Sequence, residues 1–363
     1  MRFFVLIFLL LGCSKLGLKA PEKNERFFQI EWAKNMDPAY ESGNLPIGLG
    51  APRIFQDIVY MGSTEGTMYA YDIDTGRPLW SANENTQLGG PAELFKDQVA
   101  YGGMNGRLFV RHYLTGNLKY AIDLGAPIES APYYFNEHLF VYLRGHQLVH
   151  LDAETGKILW VYKRAVPVTT TLQRTTRPLI VGNKVIVGFA DGYLGALSLQ
   201  EGLLLWETKL VETAKFVDVD LNPVQAGGMI ISGSPSGNLQ AVNPDSGAIS
   251  RTFPVSVQAH PYLHNEQLIL GTNDGEVMIM GLGGEILKRA KISKQPVSAV
   301  TWWKEHIVAS SFDGTLKAVD PLTMKVIDSF ALGNPVSAVF SDLVVTPEHM
   351  ALYSSRNRLY LFQ

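Results

Sequence analysis

A short pattern recurs along almost the whole chain, and that recurrence limits the folds open to it more than any other feature. Its clearest copy runs from Gly62 to Trp80. A strand meets a tight Gly turn, a second strand runs to Asp72, Thr75-Gly76 turns the chain, and a third strand ends at Trp80. Alternating apolar residues between Gly turns are hairpin signals. The pattern returns at Gly102–Tyr120, Leu143–Trp160, Gly188–Trp206, Gly233–Ser250, Gly271–Lys288 and Ser310–Ile327, and once more, truncated, at Ser354–Phe362. Two places after the turn residue stands an apolar side chain each time: Met68, Leu108, Leu148, Leu194, Leu239, Val277, Leu316 and Leu359. Successive separations are 40, 40, 46, 45, 38, 39 and 43. That period, with about four strands per unit, is propeller spacing. A Pro-led apolar run precedes each unit, as in Pro132-Tyr133-Tyr134-Phe135, and predicts the innermost strand of a blade.

The eighth unit stops at Gln363 after its third strand. Phe27-Phe28-Gln29-Ile30-Glu31-Trp32 reads as the missing fourth strand, with its Trp in place. Closing the ring this way leaves no open sheet edge around it. The expected fold is therefore all-β: one eight-bladed β-propeller of four-stranded antiparallel blades over residues 26–363, closed by an N-terminal strand. Ala70, Ala196, Ala241 and Ala318 are small where blades would pack closely. An open solenoid would need capping repeats with polar outer faces. Seven blades would result if residues 1–32 stood outside the ring.

The chain has 363 residues, 46% hydrophobic and 18% charged, which supplies a substantial core and argues against disorder. A formal net charge of −3 lacks the basic surplus of a nucleic-acid binder. Met1-Arg2 followed by the apolar run Phe3–Leu11 fits a secretory signal, too short for the roughly 20 residues a spanning helix needs. The run ends in Leu10-Leu11-Gly12-Cys13, which resembles a bacterial lipobox, and Cys13 is the one cysteine in the chain. A lone free thiol is a liability in an oxidising compartment, whereas lipidation gives it a use. Residues 1–12 are expected to be the signal peptide and residues 13–25 a lipidated tether. By the same resemblance, Ser14 after the cysteine implies sorting to the outer membrane.

Ala70-Tyr71-Asp72-Ile73-Asp74-Thr75-Gly76-Arg77-Pro78-Leu79-Trp80 and Leu151-Asp152-Ala153-Glu154-Thr155-Gly156-Lys157-Ile158-Leu159-Trp160 resemble the pyrroloquinoline-quinone-like propeller repeat, and not the WD40 repeat. Two branches of that superfamily compete. Quinoprotein dehydrogenases are longer, many carry a vicinal cysteine pair, and they need carboxylate and amide ligands for a calcium-like ion. Asp152, Asp245 and Asp320 instead sit where turns favour Asx residues. From residue 26 onward the chain more closely resembles the BamB family of β-barrel assembly lipoproteins. That resemblance implies a scaffold with no active site and no cofactor. It would be lipid-anchored on the periplasmic face of the outer membrane, with the POTRA domains of BamA, and through them the BAM complex, as partner. A second implied role is to offer strand edges to unfolded outer membrane proteins by β-augmentation. The quinoprotein dehydrogenase remains the alternative.

Departures from the repeat are where function is expected, because binding residues concentrate on loops. Trp80 to Pro91 spans 11 residues, Tyr120 to Pro132 12 and Ser250 to Pro261 11, but Trp160 to Pro178 spans 18 and Trp206 to Pro223 17. Two consecutive inter-blade loops are thus longer by about six residues and should lie side by side. The first carries Lys163, Arg164, Arg174 and Arg177 with Val166, Val168 and Leu172. The second carries Glu212, Asp218 and Asp220 with Leu210, Val211, Phe216 and Val219. Exposed apolar residues among charges of both signs suit a protein interface, although the charges could instead pair with one another. The family resemblance implies partner-binding roles for Asp218 and Asp220, for Leu172, and for Arg174 with Arg177 as its substitute, while Thr170 departs from the family's second Leu. The eight histidines are scattered without metal-ligand spacing, and no Gly-x-Ser-x-Gly or P-loop motif occurs.

Overall fold

A computed structural model describes residues 26–36, 50–165, 176–212, 217–333 and 337–363. Eight antiparallel sheets of four strands each make a ring of blades. Blades 1 to 7 are continuous in sequence, as in blade 3: Tyr133–Phe135, His138–Leu143, Gln147–Asp152 and Ile158–Lys163, from the axis outward. Blade 8 joins the two ends of the chain. Ile30–Asn35 pairs antiparallel with Arg358–Phe362, that strand with Met350–Tyr353, and Met350–Tyr353 in turn with the innermost Val344–Val345. The closing strand starts three residues later than the sequence suggests, with Trp32 inside it. The reason lies in Phe28, which is 5% exposed and packs among Leu316, Met350 and Phe362 as core ahead of the strand.

The repeat's signature residues each have a physical task. Asp72 Oδ1 accepts from the Thr75 amide at 2.8 Å and from its hydroxyl at 2.5 Å, which shapes the turn before the outer strand. Gly76 follows at φ 63°, and a Cβ there would stand 2.9 Å from the Trp32 ring of the preceding blade. The Trp32 indole in turn donates to the Ile73 carbonyl at 2.6 Å. The same staple recurs from Trp80 to Tyr113 O, Trp160 to Leu199 O and Trp206 to Pro244 O. Tyr120 serves through its hydroxyl to Ala153 O. Lys288 takes the role between blades 6 and 7, donating to Pro321 O at 2.8 Å. Ala70, Ala196, Ala241 and Ala318 are all buried opposite this outer-strand position, as their small size predicts. Trp303 is core and Trp302 lies partly exposed against His264.

Candidate docking face

Loops joining one blade to the next emerge on the same face as the turns between second and third strands, so both long loops start and end there. Arg164 roots the first loop. It leaves the outer strand of blade 3 and ion-pairs with Asp191 of blade 4 at 2.7 Å and with Glu207 on the outer strand of blade 4. Its guanidinium lies 4.6 Å from the centre of the Phe189 ring and 5.1 Å from that of Tyr193. Burial alone would depress its pKa, but Glu207 and Asp191 outweigh that and hold it above the ordinary value. Removing one member of a desolvated charge network typically costs about 3 kcal/mol.

The second loop is less exposed than its composition suggests. Leu210, Val211 and Val219 are at most 4% exposed and pack with Leu194, Ala196, Ile230 and Val242. They were expected as apolar docking residues and are core instead. Backbone bonds explain it: the Leu210 amide donates to Gly192 O at 2.8 Å and the Val219 amide to Phe189 O at 3.1 Å. The loop is laid over the second-to-third-strand turn of blade 4. Gly188 makes this possible, since a Cβ there would stand 2.1 Å from Val219 O. Asp218 is buried as well, 3% exposed, and its charge is felt by Tyr142 and by His146, whose carbonyl accepts from the Arg164 amide at the root of the first loop. Burial lowers the His146 pKa, an effect Asp191 partly opposes.

The two loops meet, as their adjacency predicts. The Arg177 amide donates to Asn222 Oδ1 at 2.8 Å, and the Asn222 amide to His260 Nδ1 at 3.1 Å. The side chain of Arg177 turns to the ring axis, where Nη2 ion-pairs with Glu93 at 2.8 Å and the guanidinium lies 4.9 Å from the centre of the Tyr133 ring. Of the residues singled out in the sequence, Arg177 and Asp220 therefore come together on one central cavity, with Asp218 buried to the side. Cys13, Leu172, Arg174, Val166, Val168, Thr170 and Phe216 lie outside the described residues.

That cavity, about 300 Å³, opens at the axis on the same face. The residue before a Pro-led strand contributes from four blades: Ala131, Arg177, Asn222 and His260 all line it. A residue preceding Pro is held extended, and so presents its side chain at a repeatable place. This position was available in the sequence as a signal for axial residues. Arg53, just after Pro52, lines the cavity too and gave no such cue. Among the described residues no three His, Cys, Asp or Glu side chains gather as a metal site requires.

A family model described as "Outer membrane protein assembly factor BamB" matches residues 64–283. The chain belongs to the BamB family. Curated BamB relatives include that of Kangiella koreensis, 22% identical over 95% of this chain and 91% of its own length. The BamB of Burkholderia pseudomallei is 23% identical over 85% and 83%. Among solved structures, BamB from Moraxella catarrhalis superposes with a TM-score of 0.75 at 18% identity, over 89% of this chain and 99% of that one. The C-terminal WD40 domain of Sif2 reaches 0.70 at 13% identity over 88% and 96%. A ring of eight blades is thus shared well beyond BamB, and it is the sequence match that separates this family from other propellers.

Proposed function

We propose that the chain is a non-enzymatic scaffold subunit of the outer-membrane β-barrel assembly machinery. It is held to the outer membrane by lipidated Cys13 and docks through its two long loops on the POTRA region of BamA. Membership of a family named for outer membrane protein assembly supports the general role. The observation that supports the docking reading is the bracing of the described ends of both loops against blade 4 and against each other. Arg164 ties the first loop's root to blade 4, Val219 ties the second loop to the same blade, and the Arg177–Asn222 bond joins them. Loop ends fixed in advance lose less freedom on binding.

Leu172 and Arg174 are the contact residues of this reading, with Asp220 at the edge. Asp218 and Arg177 act by shaping the loops, because one is buried and the other is ion-paired toward the axis. The test is co-purification with BamA from solubilised outer membrane. Leu172→Ser combined with Arg174→Ala should lower capture at least tenfold, the effect of about 1.4 kcal/mol of lost binding, with unchanged circular dichroism. Full capture by that double variant would refute the docking assignment.

A further inference from the structure

The axial cavity has charged walls, and most of those charges are already satisfied. Arg144 is ion-paired with Glu129. Arg177 takes both oxygens of Glu93, at 3.0 and 2.8 Å. Asp220 is engaged as well. Two opposite charges remain without an ion pair among the described residues: the guanidinium of Arg53 and the carboxylate of Asp342, which stands exposed at the mouth. Arg53 Nε donates to Ala92 O at 2.9 Å, which fixes the plane of the guanidinium. Its two Nη groups have no protein acceptor among the described residues. Phe312 and Phe340, with ring centres 5.4 Å apart, line the same space.

An unpaired cation and an unpaired anion on the walls of one small cavity are complementary to a molecule carrying both charges. Anion binding alone would leave Asp342 opposed to the ligand, and cation binding alone would leave Arg53 unmatched. At about 300 Å³ the cavity is at the small end of ligand sites, which run from roughly 300 to 1,000 Å³. We propose that it is a binding site for a free α-amino acid with an apolar side chain. The carboxylate meets Arg53, the ammonium meets Asp342, and the side chain lies on the Phe312–Phe340 pair. Burial and the neighbouring Arg177 guanidinium both push the Arg53 pKa down, with Glu93 and Asp342 only partly opposing. A ligand carboxylate would supply the counter-charge that this position lacks. The proposal is independent of docking to a partner.

Isothermal titration of the purified full chain tests it, with four probes: L-phenylalanine, phenethylamine without the carboxylate, 3-phenylpropionate without the ammonium, and the dipeptide Phe-Phe with its charges spread apart. L-phenylalanine should bind at least tenfold more tightly than each of the other three. Asp342→Asn should weaken phenylalanine at least tenfold and tighten phenylpropionate by relieving its repulsion from the carboxylate, and Arg53→Lys should weaken both. Asp342 is exposed, so its variant is expected to fold even if changes at Arg53 do not. No heat of binding at millimolar phenylalanine would overturn the site. Equal affinity for the analogues would overturn zwitterion recognition, and tighter binding of Phe-Phe would move the assignment from a free amino acid to a peptide.

Discussion

Gly188 and His150 show what single positions contribute where the repeat departs from itself. Gly188 ends the second strand of blade 4, and its missing side chain is what allows the second loop to lie over that strand. In Gly188→Ala the new methyl meets the backbone oxygen of Val219, which cannot rotate away. Loss of about 2 kcal/mol is expected, within the range for overpacked cores. Faster amide exchange should follow in residues 217–222, and unchanged exchange there would mean that the loop is held by other contacts. His150 stands opposite Trp160, at the outer-strand register where four other blades place Ala70, Ala196, Ala241 and Ala318. Its ring stacks on Phe140 at 4.4 Å and has no hydrogen-bond partner at either nitrogen among the described residues. Burial, then the nearby His138, pushes its pKa down to about 4 from an ordinary 6.5. Above pH 6.5 both folded and unfolded forms are neutral and the group has no effect. As pH falls toward 4 the unfolded chain takes a proton that the folded one refuses, so roughly 3 kcal/mol of stability drains away across that window. His150→Leu should flatten the pH dependence of Tm between 6.5 and 4. A slope identical to the parent's would place the acid sensitivity elsewhere.

At the scale of strands and turns, the sequence was most readable where one residue type has one use. The Asp-x-x-Thr-Gly turn, the outer-strand Trp and the Pro-led inner strand all reappear as elements with the expected order. What it hid was burial in the long loops. Leu210, Val211 and Val219 have the composition of a sticky surface and the fate of a core, because Gly188 makes room for Val219 and Gly192 for Val211, pairings 31 and 19 residues apart in sequence. The strength of the inter-blade staple can be measured at Trp160, whose indole donates to Leu199 O at 3.1 Å and covers Gly202. Trp160→Ala should destabilise by about 3 kcal/mol, the low end for a lost buried aromatic, since the ring is partly exposed. Chemical denaturation would report it, and a loss below about 1 kcal/mol would show that the staples are ornamental to stability.

For the whole molecule, eight similar wedges closed into a ring give a body whose faces are set by loop length rather than by fold. The superposition on a WD40 domain at 13% identity makes the same point from outside the family. Hence the ring was legible from spacing alone, while the functional assignment needed the loops and the family. The axial cavity was legible only in part: the residue before a Pro-led strand marks some of its lining, but Arg53 and the Phe312–Phe340 pair come from other positions of several blades and carry no shared cue. The proposed lipid anchor at Cys13 would also be a property of the whole particle. Cys13→Ala should move the protein from the membrane fraction to the soluble fraction of a cell lysate with its thermal stability unchanged, and membrane retention of that variant would place the anchor elsewhere.

The blade shared by the two ends has a consequence for how the protein comes into being. The Phe28 amide is bonded to Asp328, 300 residues away, and Asn35 pairs with Arg358. Seven blades can form as the chain is delivered, but the clasp must wait for the last few residues. Until then the final hairpin has an open edge, and the first strand has nothing to pair with. Contacts of such long range form slowly. The late step in folding is therefore expected to be the meeting of the two termini, and a chaperone that shields an unpaired strand would act on this protein at that moment.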